Sequence, residues 1–297
     1  MIKKISIFLL FFFSLAVFSF AQSHDNHQSD NIEDEGQLDI ISKVVDHDYV
    51  DFYFFGKLYM PKFPPVHLGS VEIDFSPTKS LFMMFVSSII ITLILFFAAR
   101  SNKKNKVPKG LGNLIEVFIV FIRDEIVIPN MGKEGVKHLP LFLTLFFFIL
   151  TCNLIGLVPF MAQPTKNISV TTALALVTFL TTQGVGIKKN GFFGYVKNLI
   201  PPGVPLFVAP IMAVVEFIGL FTKPFALLMR LFANITAGSI IILSLIGLIF
   251  MMSWAGVAIA VPFALFINLL EIFIAFLQAY IFTMLSVLFI SMAAHPH

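Results

Sequence analysis

Five stretches of this chain run for about 20 residues or more with almost no ionisable side chain. Residues 80–99, 139–160 and 167–187 carry no charge at all, and two longer stretches nearer the C-terminus carry very little. About 20 apolar residues suffice for a helix to cross a bilayer. The 297 residues are 58% hydrophobic and 12% charged, with a mean hydropathy of +0.92. A soluble domain uses about 25% charged residues. The fold class is therefore all-α: a polytopic helical membrane protein with about five spanning helices, one amphipathic interfacial helix and two long tilted C-terminal helices.

Charge along the chain gives the organisation. Lys3 and Lys4, then the apolar residues 5–18, then Ser19-Phe20-Ala21, have the pattern of a signal peptide over residues 1–21. Residues 22–79 form an acidic extension, whose later part, rich in aromatics and β-formers, suits either a small hairpin or packing on the membrane domain. Its His24, His27, Asp46, His47 and Asp48 read as solvated side chains rather than metal ligands. Residues 80–297 form the membrane domain. The first span ends at Arg100, Lys103, Lys104, Lys106 and Lys109 with no acid among them. Positive charge marks the cytoplasmic end, so the extension lies outside and the C-terminus inside. Residues 111–130, with Glu116, Arg123, Asp124 and Glu125, read as the interfacial amphipathic helix. Residues 205–294 hold four charges, and Trp254-Ala255-Gly256 is their one obvious break. This gives two long helices, at roughly 206–253 and 257–293.

Arg230 is the sole ionised residue between Pro224 and Trp254 (PFALLMRLFANITAGSIIILSLIGLIFMMSW). A guanidinium cannot shed its proton to suit an apolar setting. Placing one near the bilayer centre costs at least ~2.5–3.5 kcal/mol. Glu216, Lys223 and Arg230 recur at a spacing of seven and lie on nearly one helical face. Asn234 shares that face, followed by the small residues Ala237 and Gly238, which let another helix approach. The last helix carries a matching face of Asn268, Glu271, Ala275 and Gln278. Ionisable residues inside a membrane mark ion or proton pathways by default. Cys152, the one cysteine, sits in an apolar run and reads as a packing residue. No CxxC, His/Cys metal spacing, Walker A or GxSxG pattern occurs. The sequence thus implies no cofactor, no metal and no nucleic-acid partner.

The string KPFALLMRLFANITAG resembles the segment around the essential arginine of the F-type ATP synthase a-subunit family. So does LLEIFIAFLQAYIFTMLSVLFISMA near the C-terminus. LFFFILTCNLIGLVPF is similar to that family's N-L-x-G-L-x-P helix, here Asn153, Leu154, Gly156, Leu157 and Pro159. The resemblance covers about residues 70–297. It implies a non-catalytic stator subunit of a rotary, proton-translocating complex in a bacterial inner membrane. Its implied partners are the c-ring, the peripheral-stalk b subunit, lipid and protons. It implies that Arg230 stands between two aqueous half-channels and faces the ring carboxylates, with Asn234 and Gln278 close by.

Some members of the family have Glu where this chain has Ser239, and His where it has Glu271. Glu271 is then the expected proton relay, with Ser239 as its hydroxyl neighbour. Asn268, Asn153, Glu216 and Asp74 are further half-channel candidates. Some members carry an acid near Asn167, where this chain has Lys166 and Asn167. The alternative from another class is a secondary transporter with a mid-membrane Arg/Glu site. It predicts internal repeats, and none is evident in the sequence.

Overall fold

A computed structural model describes residues 49–52, 56–59, 66–68, 71–73, 79–104, 110–158, 161, 163–197 and 207–294. The expected signal peptide, the candidate Asp74, Pro159, and His24, His27 and His47 of the extension lie outside the described residues.

Two short antiparallel hairpins precede the first span. β1 (Tyr49–Phe52) pairs with β2 (Gly56–Tyr59), and β3 (Val66–Leu68) pairs with β4 (Val71–Ile73). They fall where the aromatic-rich part of the extension has hairpin composition. After them the described residues are mostly helical, joined by short turns and extended residues.

Helix α1 (Lys79–Lys104) is followed by α2 (Leu111–Phe121). A wide π-turn (Ile122–Val127) and the short α3 (Ile128–Met131) continue α2. Pro129 accounts for that widening. Its ring removes one amide donor and would clash with the carbonyl four residues earlier. Gly132, at φ 63°, ends α3. A 3₁₀ segment (Lys133–His138) leads into α4 (Leu139–Ile155). A 3₁₀ turn (Pro164–Lys166) then precedes α5 (Ile168–Asn190). Asn167 caps α5, its Oδ1 accepting from the Ser169 amide at 2.9 Å. After α6 (Phe192–Lys197) comes α7 (Ala209–Ala294).

Among the described residues, five stretches are long and apolar enough to cross a membrane: Lys79–Arg100, Lys133–Ile155, Ile168–Asn190, Ala209–Ile242 and Ala260–Ala294. The last two are both parts of α7, whose backbone is helical for all 86 residues. A straight helix of that length would extend about 130 Å. Yet Asn234 and Gln278, 44 residues apart, share a hydrogen bond of 3.0 Å. A straight helix would hold them roughly 66 Å apart. The run must therefore double back on itself. The midpoint of 234 and 278 is 256, which falls at the Trp254-Ala255-Gly256 break. The two long C-terminal helices are the two limbs of α7, here called the first and second limb.

The core sits around α4, whose Leu141, Phe142, Leu143, Leu145 and Ile149 are essentially inaccessible. Cys152 is fully buried beside them, as a packing residue should be. The second limb adds Ala279, Phe282, Val287 and Ile290 to this core, and the first adds Leu227, Leu231 and Ile235. The limbs differ sharply from α4 in their coverage. Of the apolar window of the second span 83% is buried, against 11% for each limb. Each limb thus presents a long uncovered apolar surface, which in water would be untenable and in a membrane meets lipid or another helix.

Candidate functional site

Arg230 lies on the first limb, between inward-facing Leu227 and Leu231, and is itself exposed. Among the described residues no hydrogen bond or ion pair engages its guanidinium. One helical turn further on, the Asn234 side-chain amide donates to Gln278 Oε1 at 3.0 Å. Gln278 is 2% exposed. A buried amide oxygen without a donor costs about 1–3 kcal/mol, so this bond both satisfies Gln278 and ties the limbs together beside Arg230.

One further turn along, Gly238 faces Glu271 of the second limb. A methyl group at Gly238 would lie 3.2 Å from Glu271 Cδ and 3.4 Å from its Cγ, and would collide with Oε1. The missing side chain is what admits the carboxyl group between the limbs. Glu271 is half-buried there. Arg230, Asn234 and Gly238 thus run along one limb, with Gln278 and Glu271 answering the latter two from the other.

The remaining candidates divide. Asn153 is 1% exposed and joins three elements. Its Nδ2 donates to the Ala275 carbonyl at 3.5 Å, its Oδ1 accepts from Thr165 Oγ1 at 2.8 Å, and its backbone carbonyl accepts from Gln163 Nε2 at 3.5 Å. Ala275 is one turn beyond Glu271, so Asn153 fastens the 3₁₀ turn beneath the Glu271 helix. Ser239 donates to its own helix at the Ile235 carbonyl, 3.1 Å, and Asn268 donates to the Ala264 carbonyl, 3.0 Å. Both therefore donate within their own helices, and Gly238, next to Ser239, faces Glu271. Glu216 is half-buried and lies 14 positions, about 21 Å of helix, before Arg230. Asp74 lies outside the described residues.

The sequence reading did not single out Gln163 and Thr165. Both are buried, at 9% and 0% exposure. Lys166, next in the same turn, is half-buried. Burial holds its ammonium below the usual lysine range; the Glu271 carboxylate opposes that shift and Lys79 adds to it. Among the described residues, ion pairs close at Arg123–Asp124 and Lys189–Glu134, not between Lys166 and Glu271. A polar turn whose side chains are buried has no periodicity to reveal it in sequence.

At the opposite end of the bundle, Asn190 Nδ2 donates to the Ala293 carbonyl at 3.1 Å, and Ser291 Oγ donates to the Asn130 carbonyl at 2.5 Å. These bonds fix the end of the second limb against α5 and α3. No group of three or more metal-binding side chains occurs among the described residues.

A family model for the ATP synthase A chain matches residues 81–291. An ATP synthase subunit a of Chloroherpeton thalassium is 49% identical over 264 residues, covering 88% of this chain and 78% of that one. One of Myxococcus xanthus is 50% identical over 231 residues, 76% of each chain. An ATP synthase subunit a 2 of Chlorobaculum tepidum is 44% identical over 266 residues, 88% of this chain and 74% of that one. The matched region holds all five apolar spans but the first two residues of the earliest and the last three of the latest, together with the Arg230 and Glu271 faces, and the chain belongs to the ATP synthase A chain family.

Proposed function

We propose that this chain is the non-catalytic membrane stator of a rotary ATP synthase, through which protons reach and leave a ring of carboxylate-bearing c subunits. The observation that carries this reading is the exposed, uncommitted Arg230 on a face otherwise locked to the second limb by Asn234 and Gln278. A permanent charge without a counter-charge among the described residues, on an uncovered apolar limb, suits a partner that brings the carboxylate. The b subunit of the peripheral stalk and lipid cover the rest of the membrane surface.

A ring carboxylate facing lipid is neutral, because an unpaired charge there is expensive. Beside Arg230 the ionised form is favoured, and the proton leaves by the exit half-channel. Attraction at ~4 Å amounts to about 4 kcal/mol at an effective dielectric of 20. Arg230 also blocks a leak, since it does not relay protons by losing its own. Glu271, held against Gly238, delivers protons from the other half-channel to the ring. The Lys79–Lys166 end of the bundle is extracytoplasmic in this reading, and the end with Arg100, Lys188 and Lys189 is cytoplasmic.

The test is proton pumping in inverted membrane vesicles. Arg230→Lys should abolish ATP-driven acidification, because lysine is deprotonatable and lacks the planar fork. Glu271→Gln should strongly reduce passive proton conductance in vesicles stripped of the catalytic head, with the subunit still present in the membrane. Normal acidification by the Arg230→Lys complex would sink the assignment.

A further inference from the structure

We propose that the end of the bundle built from the Lys133–His138 segment, the last turn of α5 and α6 is a binding surface for the headgroups of anionic phospholipids. Lys133, Lys137 and Lys188 meet the phosphates, and Phe192 and Phe193 enter the acyl boundary beneath them. The inference goes beyond the proposed function and does not depend on the route that protons take.

The spans fix where the hydrocarbon ends. The second begins at Lys133, the third ends at Asn190 and the fifth ends at Ala294. Two contacts hold these three ends together. Lys189 Nζ lies 3.4 Å from Glu134 Oε2, and Asn190 Nδ2 donates to the Ala293 carbonyl at 3.1 Å. The edge of the apolar layer therefore passes here, and α6 starts directly beyond it, at Phe192. Gly191, at φ 72°, has a backbone that glycine tolerates and turns the chain off the α5 axis. Tyr195 then folds back along α5. Its hydroxyl donates to Gln183 Oε1 at 2.7 Å, and its ring fills the space over Gly186, where a methyl group would lie 2.8 Å from Cδ2. α6 is thus fastened to α5 and is not a loose loop.

This fastening leaves Phe192 and Phe193 outward, 62% and 88% exposed, with ring centroids 5.8 Å apart. Two adjacent phenylalanines held open at the end of a span are unfavourable in water. An exposed apolar edge beside lysines suits the boundary between headgroups and acyl chains. Charge selects the lipid. On the Lys133–His138 segment and the last turn of α5, Lys133, Lys137, Lys188 and Lys189 are all exposed, against the single acid Glu134. Glu134 pairs with Lys189, and no acid among the described residues pairs with the other three. Lysines that only set topology need no anionic lipid. Three uncommitted ammonium groups from two elements, set beside the exposed phenylalanines, favour a headgroup with net negative charge.

The experiment uses the whole complex, carrying Phe193→Cys labelled with a small fluorescent maleimide. Cys152 is fully buried, and labelling of the wild-type complex sets the background. The labelled complex is reconstituted in equimolar phosphatidylcholine and phosphatidylglycerol, with bromine on the acyl chains of one lipid or the other. The brominated phosphatidylglycerol should quench the label more strongly, with a preference of about fivefold in occupancy, the contribution of one lysine near an anionic surface. Lys137→Gln combined with Lys188→Gln should abolish that preference, and Lys137→Arg with Lys188→Arg should keep it. A label on Phe192→Cys should report the same pattern. The ratio does not depend on how much complex is reconstituted. Equal quenching by the two lipids overturns the proposal, because the phenylalanines then meet bulk lipid only. A preference that survives loss of both lysines also overturns it. So does a label that neither lipid quenches, whether iodide reaches it from water or another subunit shields it from both.

Discussion

Gly238→Ala separates the packing of the two limbs from the function proposed for Glu271. The added methyl would meet Glu271 Cγ at 3.4 Å and Cδ at 3.2 Å, with Oε1 closer still. Carbon atoms prefer about 3.5–4.0 Å, so the carboxyl group must retreat by roughly 1 Å. The obstacle is the far end of a flexible side chain and not backbone. The helices therefore keep their places and Glu271 swings aside. An off-rotamer torsion costs about 0.5–1.5 kcal/mol. Replacing glycine inside a helix returns about 0.8–1.0 kcal/mol. The two nearly cancel, so the variant subunit should remain in the membrane at close to the wild-type level.

Its proton flux should not. A displacement of about 1 Å in a group that transfers protons is worth up to ~10²-fold in rate, and a loss of about 10-fold or more is expected. The assay pairs passive proton conductance with the abundance of the subunit in the same vesicles. Adding Glu271→Asp should recover part of the flux, because the shorter acid fits above the methyl group. The pair should be non-additive, as residues in contact are. Wild-type conductance from Gly238→Ala alone refutes the reasoning, as does loss of flux that merely follows loss of the subunit.

Two further outcomes concern the core. Asn153→Leu removes the acceptor of the fully buried Thr165 hydroxyl and should cost about 1–3 kcal/mol; it is read as a lower thermal midpoint of the purified complex, and an unchanged midpoint counts against a structural role for the Asn153–Thr165 bond. Cys152 is 0% exposed, so a membrane-permeant maleimide should leave it unlabelled in intact vesicles and label it after denaturation in detergent; rapid labelling beforehand would show the α4 core to be open.

Much of this arrangement is legible in the sequence. Uncharged runs mark the spans because hydrocarbon admits little else. The faces of Arg230 with Asn234 and of Glu271 with Gln278 follow from helical spacing alone. The expected break at Trp254-Ala255-Gly256 is helical in the backbone, yet it includes the midpoint of the Asn234–Gln278 pairing. Which residue opposes which is less legible. Ser239 reads as the hydroxyl neighbour of Glu271, yet a serine inside a helix readily bonds to the carbonyl four residues back, and this one does so. Asn268 does the same. The opening that Glu271 enters is made by the absence of a side chain at Gly238. Asn153 reads as a half-channel candidate, but its partners come from the turn and from the last helix. Such contacts depend on tertiary placement that no local pattern encodes.

The Asn234–Gln278 bond also bears on how Arg230 keeps its charge available. Gln278 is buried, and its Oε1 is the amide acceptor on the facing helix at the level of Asn234. Had it faced an unpaired guanidinium, the stronger charge-assisted bond would have been the expected one. Asn234 takes that acceptor instead, at 3.0 Å. The amide pair thus supplies the glue between the limbs with neutral groups, and Arg230 is left exposed with its donors uncommitted among the described residues. A guanidinium tied to its own chain would have little attraction to offer a passing carboxylate. One with no partner at all would be unstable in hydrocarbon. Under the proposed function, a partner that covers the limbs and carries the counter-charge would reconcile the two conditions. In that proposal, the cost of placing Arg230 in an apolar segment is met at the interface, anew by each carboxylate that passes.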